Sequence, residues 1–306
     1  MKGAGSFLRR TGISHRENYP VKEHTAYKVG GSAELAAFPA SLREFRTVIG
    51  WCRSTATPFF LIGGGANIIV SDGGLPGITI FTEKLNQLKL QNRKILAECG
   101  VSMENLALYA AEHGIGGFEF LYDIPGSVGG ALIMNAGNND GEMKGITCMA
   151  QALTADNRVL SLASGQCGFG YRTSRFKEEK MVVLQAAFNA GLRKPEGAIQ
   201  MKMEQIREER RRKFPMEFPN GGSVFKRPPG DYAGRLIEAA KCGGMQVGDA
   251  QVSKKHRGFI VNRGNATASD IRALIARVQK QVKETQGILL EREQIYLPED
   301  MDNSNV

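Results

Sequence analysis

The sequence predicts an α+β protein built of more than one packed unit, and three observations point there. Short apolar and β-branched runs alternate with stretches whose apolar residues recur at helical spacing, and no internal repeat imposes a single architecture. A chain of 306 residues exceeds what one hydrophobic core comfortably fills. Between residues 191 and 197 a stretch holding Lys194 and Pro195 between glycines breaks strand periodicity just before a highly charged helical segment, which sets an expected boundary there.

The elements follow in order. Ser41 and Glu44 form a capping-box signature, and Phe45, Val48, Ile49 and Cys52 then fall on one helical face, so a helix is expected over 42–54. Pro58 opens an apolar strand over 59–62; a glycine triplet interrupts, and a second strand resumes over 68–70. A helix over about 102–113 is closed by Gly114, and short strands are expected near 78–81, 88–91, 95–99, 151–154, 158–161 and 181–188. After the break comes a basic helix over 198–213, a Gly/Pro-rich loop over 215–231, an amphipathic helix around Leu236 and Ile237, and a strand near 258–262. Thr267 and Asp270 start a helix whose Ile271, Leu274, Ile275, Val278 and Val282 share a face, and Gly287 ends it. A final strand over 287–297 would place Glu291 and Glu293 on one sheet face.

Composition removes several function classes. The first ten residues lack the apolar run of a signal peptide, and no window approaches the roughly 18 apolar residues of a membrane span, so a cytoplasmic location is expected. Five cysteines without a CxxC pair indicate neither a zinc site nor a disulfide framework. The net charge of +9 fits nucleic acid, a membrane surface or an anionic small molecule. Its densest cluster, Arg207 to Lys213, alternates with Glu204, Glu208 and Glu209 at helical spacing, which reads first as a solvated face with ion pairs. No groove-reading helix, stacking platform or zinc module supports nucleic acid.

Two glycine-dense loops are candidate anion cradles: Gly63, Gly64, Gly65, Ala66, Asn67 and Ile68, then Pro125, Gly126, Ser127, Gly129 and Gly130. Glycines at this density let consecutive backbone N–H groups converge on diphosphate oxygens. Neither loop is a Walker loop or a Rossmann fingerprint, and each alone reads first as a tight turn; two in one chain shift the reading toward a large phosphate ligand. Arg172, next to Tyr171, either forks onto a carboxylate or makes a surface pair. Ser223 sits in a glycine setting with no histidine near it in sequence, and Glu293 alone reads as a sheet-surface carboxylate.

Taken together and in order, HTAYKVGGSAE (24–34), LIGGGANIIVSDGG (61–74), GFEFLYDIPGSVGGALIMNAG (117–137), FGYRTSRFK (169–177), GGSVFK (221–226), DYAGRLIEAA (231–240), GDAQVSKKHRGFIVN (248–262) and LLEREQIYL (289–297) resemble the UDP-N-acetylenolpyruvoylglucosamine reductase family. The resemblance covers roughly residues 18–297 and is to the branch lacking a tyrosine-bearing insert over the substrate. It implies an FAD-binding fold of the vanillyl-alcohol-oxidase type over 1–197, with subdomains at about 18–82 and 83–197. A C-terminal α+β substrate domain over 198–286 and a terminal strand and tail over 287–306 would follow. It further implies noncovalent FAD held by the two glycine loops and Asn135, and NADPH as hydride donor. The substrate would be UDP-N-acetylglucosamine enolpyruvate, met by Tyr171, Arg172, Lys226, Arg227 and Gln251, in a monomer or weak homo-oligomer that makes a wall precursor.

The same resemblance assigns catalysis to Arg172, Ser223 and Glu293, and no metal. Hydride arriving at the enolpyruvyl terminus pushes charge into the carboxylate; Arg172 and a protonated Glu293 would stabilise it, and Ser223 would protonate the neighbouring carbon. Lys226 reads either as a phosphate contact or as a surface lysine. Asp123, Arg227 and Asp249 depart from the family pattern. Another flavoprotein oxidoreductase of the same FAD fold is the alternative; it leaves Ser223 and Glu293 without a role.

Overall fold

The computed structural model describes residues 2–195 and 197–300; the end of the expected tail, 301–306, lies outside the described residues. Two sheets build the larger part. The first is mixed, in the order His15–Pro20, Ser32–Ala37, Leu75–Phe81, Phe59–Ile62, with only the first pair antiparallel. The second is antiparallel throughout, in the order Val159–Ala163, Thr147–Leu153, Val182–Asn189, Lys94–Glu98, Leu88–Gln91. One continuous apolar core joins them, into which the helix Leu42–Ser54 sends Phe45, Val48, Ile49 and Cys52, and the helix Met103–Glu112 sends Met103, Leu106, Ala107 and Ala110. Ser41 and Ser102 cap those helices through their side-chain oxygens, as short polar residues at N-caps do.

A second core lies under the helix Ala268–Gln286, whose Ile271, Leu274, Ile275, Val278 and Val282 meet Leu236 and Ile237 of the helix Ala233–Ala239 and the small sheet Gln246–Val247, Ala250–Val252, Ile260–Asn262. Tyr27, Val29 and Ile69 from the first part are buried in this same core, so the seam between the two parts is itself packed. Asp72 reaches across it: the backbone N–H groups of Ala268 and Ser269 and the Ser269 hydroxyl all donate to its carboxylate at the start of the long helix.

Four expectations are corrected. The basic helix Ala198–Lys213 buries Ile199 and Met203 in the larger core, so by packing the C-terminal unit begins after Lys213, not at 198. The terminal strand is only Ile295–Leu297; Glu291 and Glu293 precede it and do not share a regular sheet face. The second glycine loop is loop only to Ser127, because Val128–Ile133 is a short helix; its two glycines weaken helix periodicity in the sequence. The strands His15–Pro20 and Ser32–Ala37 were not expected: one is an exposed polar edge and the other an alanine-rich run that lacks β-formers.

Candidate active site

The two glycine loops lie against each other and form one wall of a cavity of ~1800 Å³. A Cβ on Gly64 would sit 2.6 Å from the Gly126 Cα, and Gly65 holds φ +60 with its carbonyl accepting from Ala26 N–H at 3.0 Å, so glycine is what permits this approach. Gly63, Ala66, Asn67, Ile68, Pro125, Ser127, Gly129 and Gly130 also line the cavity. Backbone N–H groups and the apolar side chains behind them suit a dinucleotide. A further feature fits an oxygen-rich ligand: the Thr82 hydroxyl, beside Gly63 on the same wall, is buried and has no protein hydrogen-bond partner.

Three further segments meet at the cavity. Arg172 occupies a left-handed turn, φ +56, held by the Gly170–Thr173 backbone pair and by Lys177, whose ammonium donates to the Arg172 carbonyl at 3.3 Å. The Arg172 Nε lies 2.9 Å from Glu293 Oε1, yet the N–H is not aligned with that oxygen, so the contact is an ion pair that leaves a buried donor without an acceptor. Glu293 donates its backbone N–H to the Val224 carbonyl at 2.9 Å, and Lys226 N–H donates to the Glu291 carbonyl at 2.9 Å. These two bonds zip 291–293 against 224–226 and put Ser223, exposed at the cavity wall, one residue from the contact. Asn67 ties the acid to the first glycine loop: its Nδ2 donates to the Glu293 carbonyl at 3.2 Å and its own carbonyl accepts from Ile295 N–H at 3.0 Å. The parallel pairing of Ile68–Val70 with Ile295–Leu297 continues that tie.

Burial raises the Glu293 pKa above the ordinary carboxylate range, against the opposing pull of Arg172, Lys226 and Lys177. Burial, aided by the charge of Lys226, lowers the Lys177 pKa. Lys177 and Thr82 are among the wall residues that sequence reasoning passed over. Lys177 ended a quoted motif, whereas Thr82 follows a strand with no polar pattern to single it out.

Three expected contacts are not brought to the cavity wall. Asn135 is buried and its side chain is committed to protein, donating to Glu142 Oε2 and the Gly170 carbonyl and accepting from Lys144 N–H; it props the turn that carries Arg172. Gln251 bonds to Gln246 within its own hairpin. Lys226 pairs with Glu291 at 2.5 Å, so it reaches the site by charge alone. Tyr171 and Arg227 do stand at the rim, where the Arg227 N–H donates to the Tyr171 hydroxyl at 3.1 Å and the guanidinium lies 4.5 Å from the Tyr232 ring centre.

Two departures from the family pattern have local reasons. Asp123 holds φ +64, a glycine-like conformation, and its carboxylate accepts from Arg210 at 3.1 Å. Asp249 accepts from Asn265 N–H at 2.8 Å. His24, distant in sequence from the first loop, is beside it in space, its backbone carbonyl against Gly65. Its imidazole is packed on Phe81 at 4.5 Å between centroids and bonded to the Tyr19 hydroxyl at 2.9 Å.

Comparison with known proteins follows the same division. Residues 33–163 match the model of an FAD binding domain, and residues 214–297 match that of the UDP-N-acetylenolpyruvoylglucosamine reductase C-terminal domain. The UDP-N-acetylenolpyruvoylglucosamine reductase of Caldicellulosiruptor bescii is 40% identical over 294 residues, covering 96% of this chain and 94% of its own. That of Caldanaerobacter subterraneus subsp. tengcongensis is 41% identical over 273 residues, 89% and 90% of the two chains. The crystal structure of the Thermus caldophilus UDP-N-acetylenolpyruvylglucosamine reductase superposes with a TM-score of 0.78 at 30% identity, over 94% of this chain and 99% of that one. The fold is thus the expected FAD-binding α+β fold with a C-terminal α+β unit, and among the described residues no helix is long and apolar enough to cross a membrane. The chain belongs to the UDP-N-acetylenolpyruvoylglucosamine reductase family, a family of FAD-dependent oxidoreductases.

Proposed function

We propose that the cavity reduces UDP-N-acetylglucosamine enolpyruvate to UDP-N-acetylmuramate in the cytoplasm, with NADPH as the electron donor and FAD bound noncovalently. The observation that carries this reading is the convergence of Arg172, Glu293 and Ser223 in the cavity that the glycine loops line. FAD, when bound, supplies the hydride that the enolpyruvyl terminal carbon accepts. Everything else falls to the chain's own groups.

Arg172 holds the substrate carboxylate. Its unaligned Nε–H supports this, because a planar fork with a donor to spare is what a carboxylate oxygen completes. A carboxylate taking over Arg172 also brings negative charge beside Glu293 and removes the counter-charge that opposed burial. Glu293 then keeps its proton and donates to the oxyanion that forms as charge moves into the carboxylate. Ser223 delivers a proton to the carbon bearing the ether oxygen; a neutral hydroxyl serves because the enediolate is strongly basic. Hydride and proton together saturate the double bond, and the ether link to the sugar is untouched. The glycine loops, Thr82 and Ser127 hold FAD, and the rim residues Tyr171 and Arg227 meet the nucleotide half of the substrate.

The test is anaerobic. The protein is expected to carry a flavin spectrum that bleaches with NADPH and returns on adding UDP-N-acetylglucosamine enolpyruvate. Bleaching without recovery would reject the substrate, and recovery that needs oxygen instead would point to an oxidase of the same fold.

A further inference from the structure

Ser223 and Glu293 come from segments 70 residues apart, and something must hold them in register to within a fraction of an ångström. The backbone zip between 224–226 and 291–293, the Ser223–Phe259 backbone bridge and the Gly222 N–H bond to Asn220 Oδ1 hold much of the Gly221–Ser223 turn, but none of them engages the Gly221 carbonyl. The next residue after the acid, Gln294, turns its side chain the other way. It is 2% exposed, its Nε2 donates to the Gly221 carbonyl at 3.1 Å, and its amide meets the Tyr27 hydroxyl through both Oε1, at 3.1 Å, and Nε2, at 2.9 Å. The Gly221 carbonyl can only accept, which fixes the amide orientation. Tyr27 is fully buried, and burial raises its pKa, so it stays a neutral phenol. Its own backbone is anchored in turn: Asn262 Nδ2 donates to the Tyr27 carbonyl at 3.0 Å. The fit is tight, since a Cβ on Gly221 would lie 2.8 Å from the Gln294 amide nitrogen.

We infer that Gln294 and Tyr27 are a positioning pair: one buried amide and one buried phenol lock the Ser223 turn to the Glu293 segment and both to the FAD-binding part. The inference rests on the proposed roles of Ser223 and Glu293. A purely apolar seam would bury the same surface, but it would not specify the angle of the Gly221 carbonyl, where the turn leading into the bridged Ser223 is set. Hydrogen bonds are directional where apolar contacts are not.

The test uses the FAD-loaded enzyme and separates flavin reduction by NADPH from reoxidation by the enolpyruvyl substrate in stopped flow. Gln294→Met keeps length and bulk but cannot bond Gly221 or Tyr27 in the same way. It is expected to lower the limiting rate of reoxidation ~10-fold or more. Flavin reduction and the substrate concentration at half-maximal rate should change by less than about twofold, since neither NADPH delivery nor the Arg172 contact depends on the pair. Tyr27→Phe retains the Gln294–Gly221 bond and is expected to lower the same rate about threefold. Equal slowing of both half-reactions, or an unchanged reoxidation rate in Gln294→Met, overturns the inference. Should Gln294→Met not fold, an unchanged rate in Tyr27→Phe overturns it alone. Ser223→Ala, run alongside, separates the two levels. Normal reoxidation in Ser223→Ala defeats the serine's role itself. Slow reoxidation there with normal rates in both pair variants defeats only the positioning.

Discussion

Thr82 offers a prediction whose two halves have opposite signs. Its hydroxyl is buried beside the glycine wall without a protein partner, and leaving such a group unbonded costs about 1–3 kcal/mol. Thr82→Val keeps the volume and β-branching and removes that hydroxyl, so the FAD-free protein should become more stable, by about 1 kcal/mol at the low end of that range. If the hydroxyl bonds an FAD oxygen in the loaded protein, the same change removes a bond worth about 0.5–1.5 kcal/mol for a neutral acceptor and about 1.5–3 kcal/mol for a phosphate oxygen. At about 1.4 kcal/mol per tenfold, the FAD dissociation constant rises roughly twofold at least, and tenfold or more if phosphate is the acceptor. Thr79 supplies the internal control, because its hydroxyl is equally buried and unpartnered but does not line the cavity. Thr79→Val should stabilise the FAD-free protein and leave the FAD dissociation constant unchanged. Denaturant titration of the FAD-free proteins and flavin fluorescence titration read the two quantities separately. A Thr82→Val protein that is less stable without FAD, or that binds FAD as the parent does, would refute the reasoning.

Three further outcomes follow from the site. Arg172→Lys keeps the charge and loses the fork, so substrate-driven flavin reoxidation should fall about tenfold or more while reduction by NADPH is retained; an unchanged rate would make Arg172 structural. Glu293 has a folded pKa raised by burial, so the native state holds a proton that the unfolded chain releases, and stability contributed by the neutral acid is lost as pH rises through the raised value. Glu293→Gln cannot titrate, and the melting temperature of the variant minus that of the parent should therefore climb as pH rises from the ordinary carboxylate range; a flat difference would contradict the raised value. At Asp72 burial opposes ionisation, but the bonds from Ser269 and Ala268 and the charge of Arg272 outweigh it and hold the carboxyl below its ordinary value. Asp72→Ala should cost ~1 kcal/mol at neutral pH, and the deficit should vanish as pH falls through that depressed value; a deficit that persists in strong acid would show that the carboxylate was not its source.

What was legible in the sequence, and what was not, divides along a physical line. The helices Leu42–Ser54 and Ala268–Gln286 read cleanly because one stripe of each is buried and a capping residue precedes each. The glycine loops read as anion cradles because their chemistry is backbone chemistry, concentrated in a few consecutive residues. Ser223, Arg172 and Glu293 carried no readable signal singly, and it took their order along the chain, as a family pattern, to pick them out. Asn135, a motif asparagine expected at the cofactor, has a side chain that holds Gly170, Glu142 and Lys144 together, a role no local pattern announces. The basic helix was half legible. Its ion pairs are there, as between Lys213 and Glu209, but Arg207 also lies 4.4 Å from the Tyr122 ring centre and Arg210 bonds Asp123. That anchorage on the larger core depends on residues more than 80 positions away and leaves no local trace.

The first glycine loop does two things that a sequence pattern cannot separate. Its backbone lines the cavity proposed for the cofactor, and its last residues, Asn67 and Ile68–Val70, grip the segment that carries Glu293 by a side-chain bond, a backbone bond and a parallel strand pairing. The acid is therefore referenced to the wall proposed to hold FAD and not only to the C-terminal unit proposed to cover the substrate. Because the hydride must reach one carbon of a small group while Glu293 meets the oxyanion that forms on that same group, the common reference matters more than the strength of either attachment. It also explains why the chain returns after its second core to pair Ile295–Leu297 with Ile68–Val70. A Glu293 carried only by the C-terminal unit would move with every small shift of that unit, whereas one paired to residues 67–70 keeps its distance from the cofactor wall whatever the rim at Tyr171 and Arg227 does.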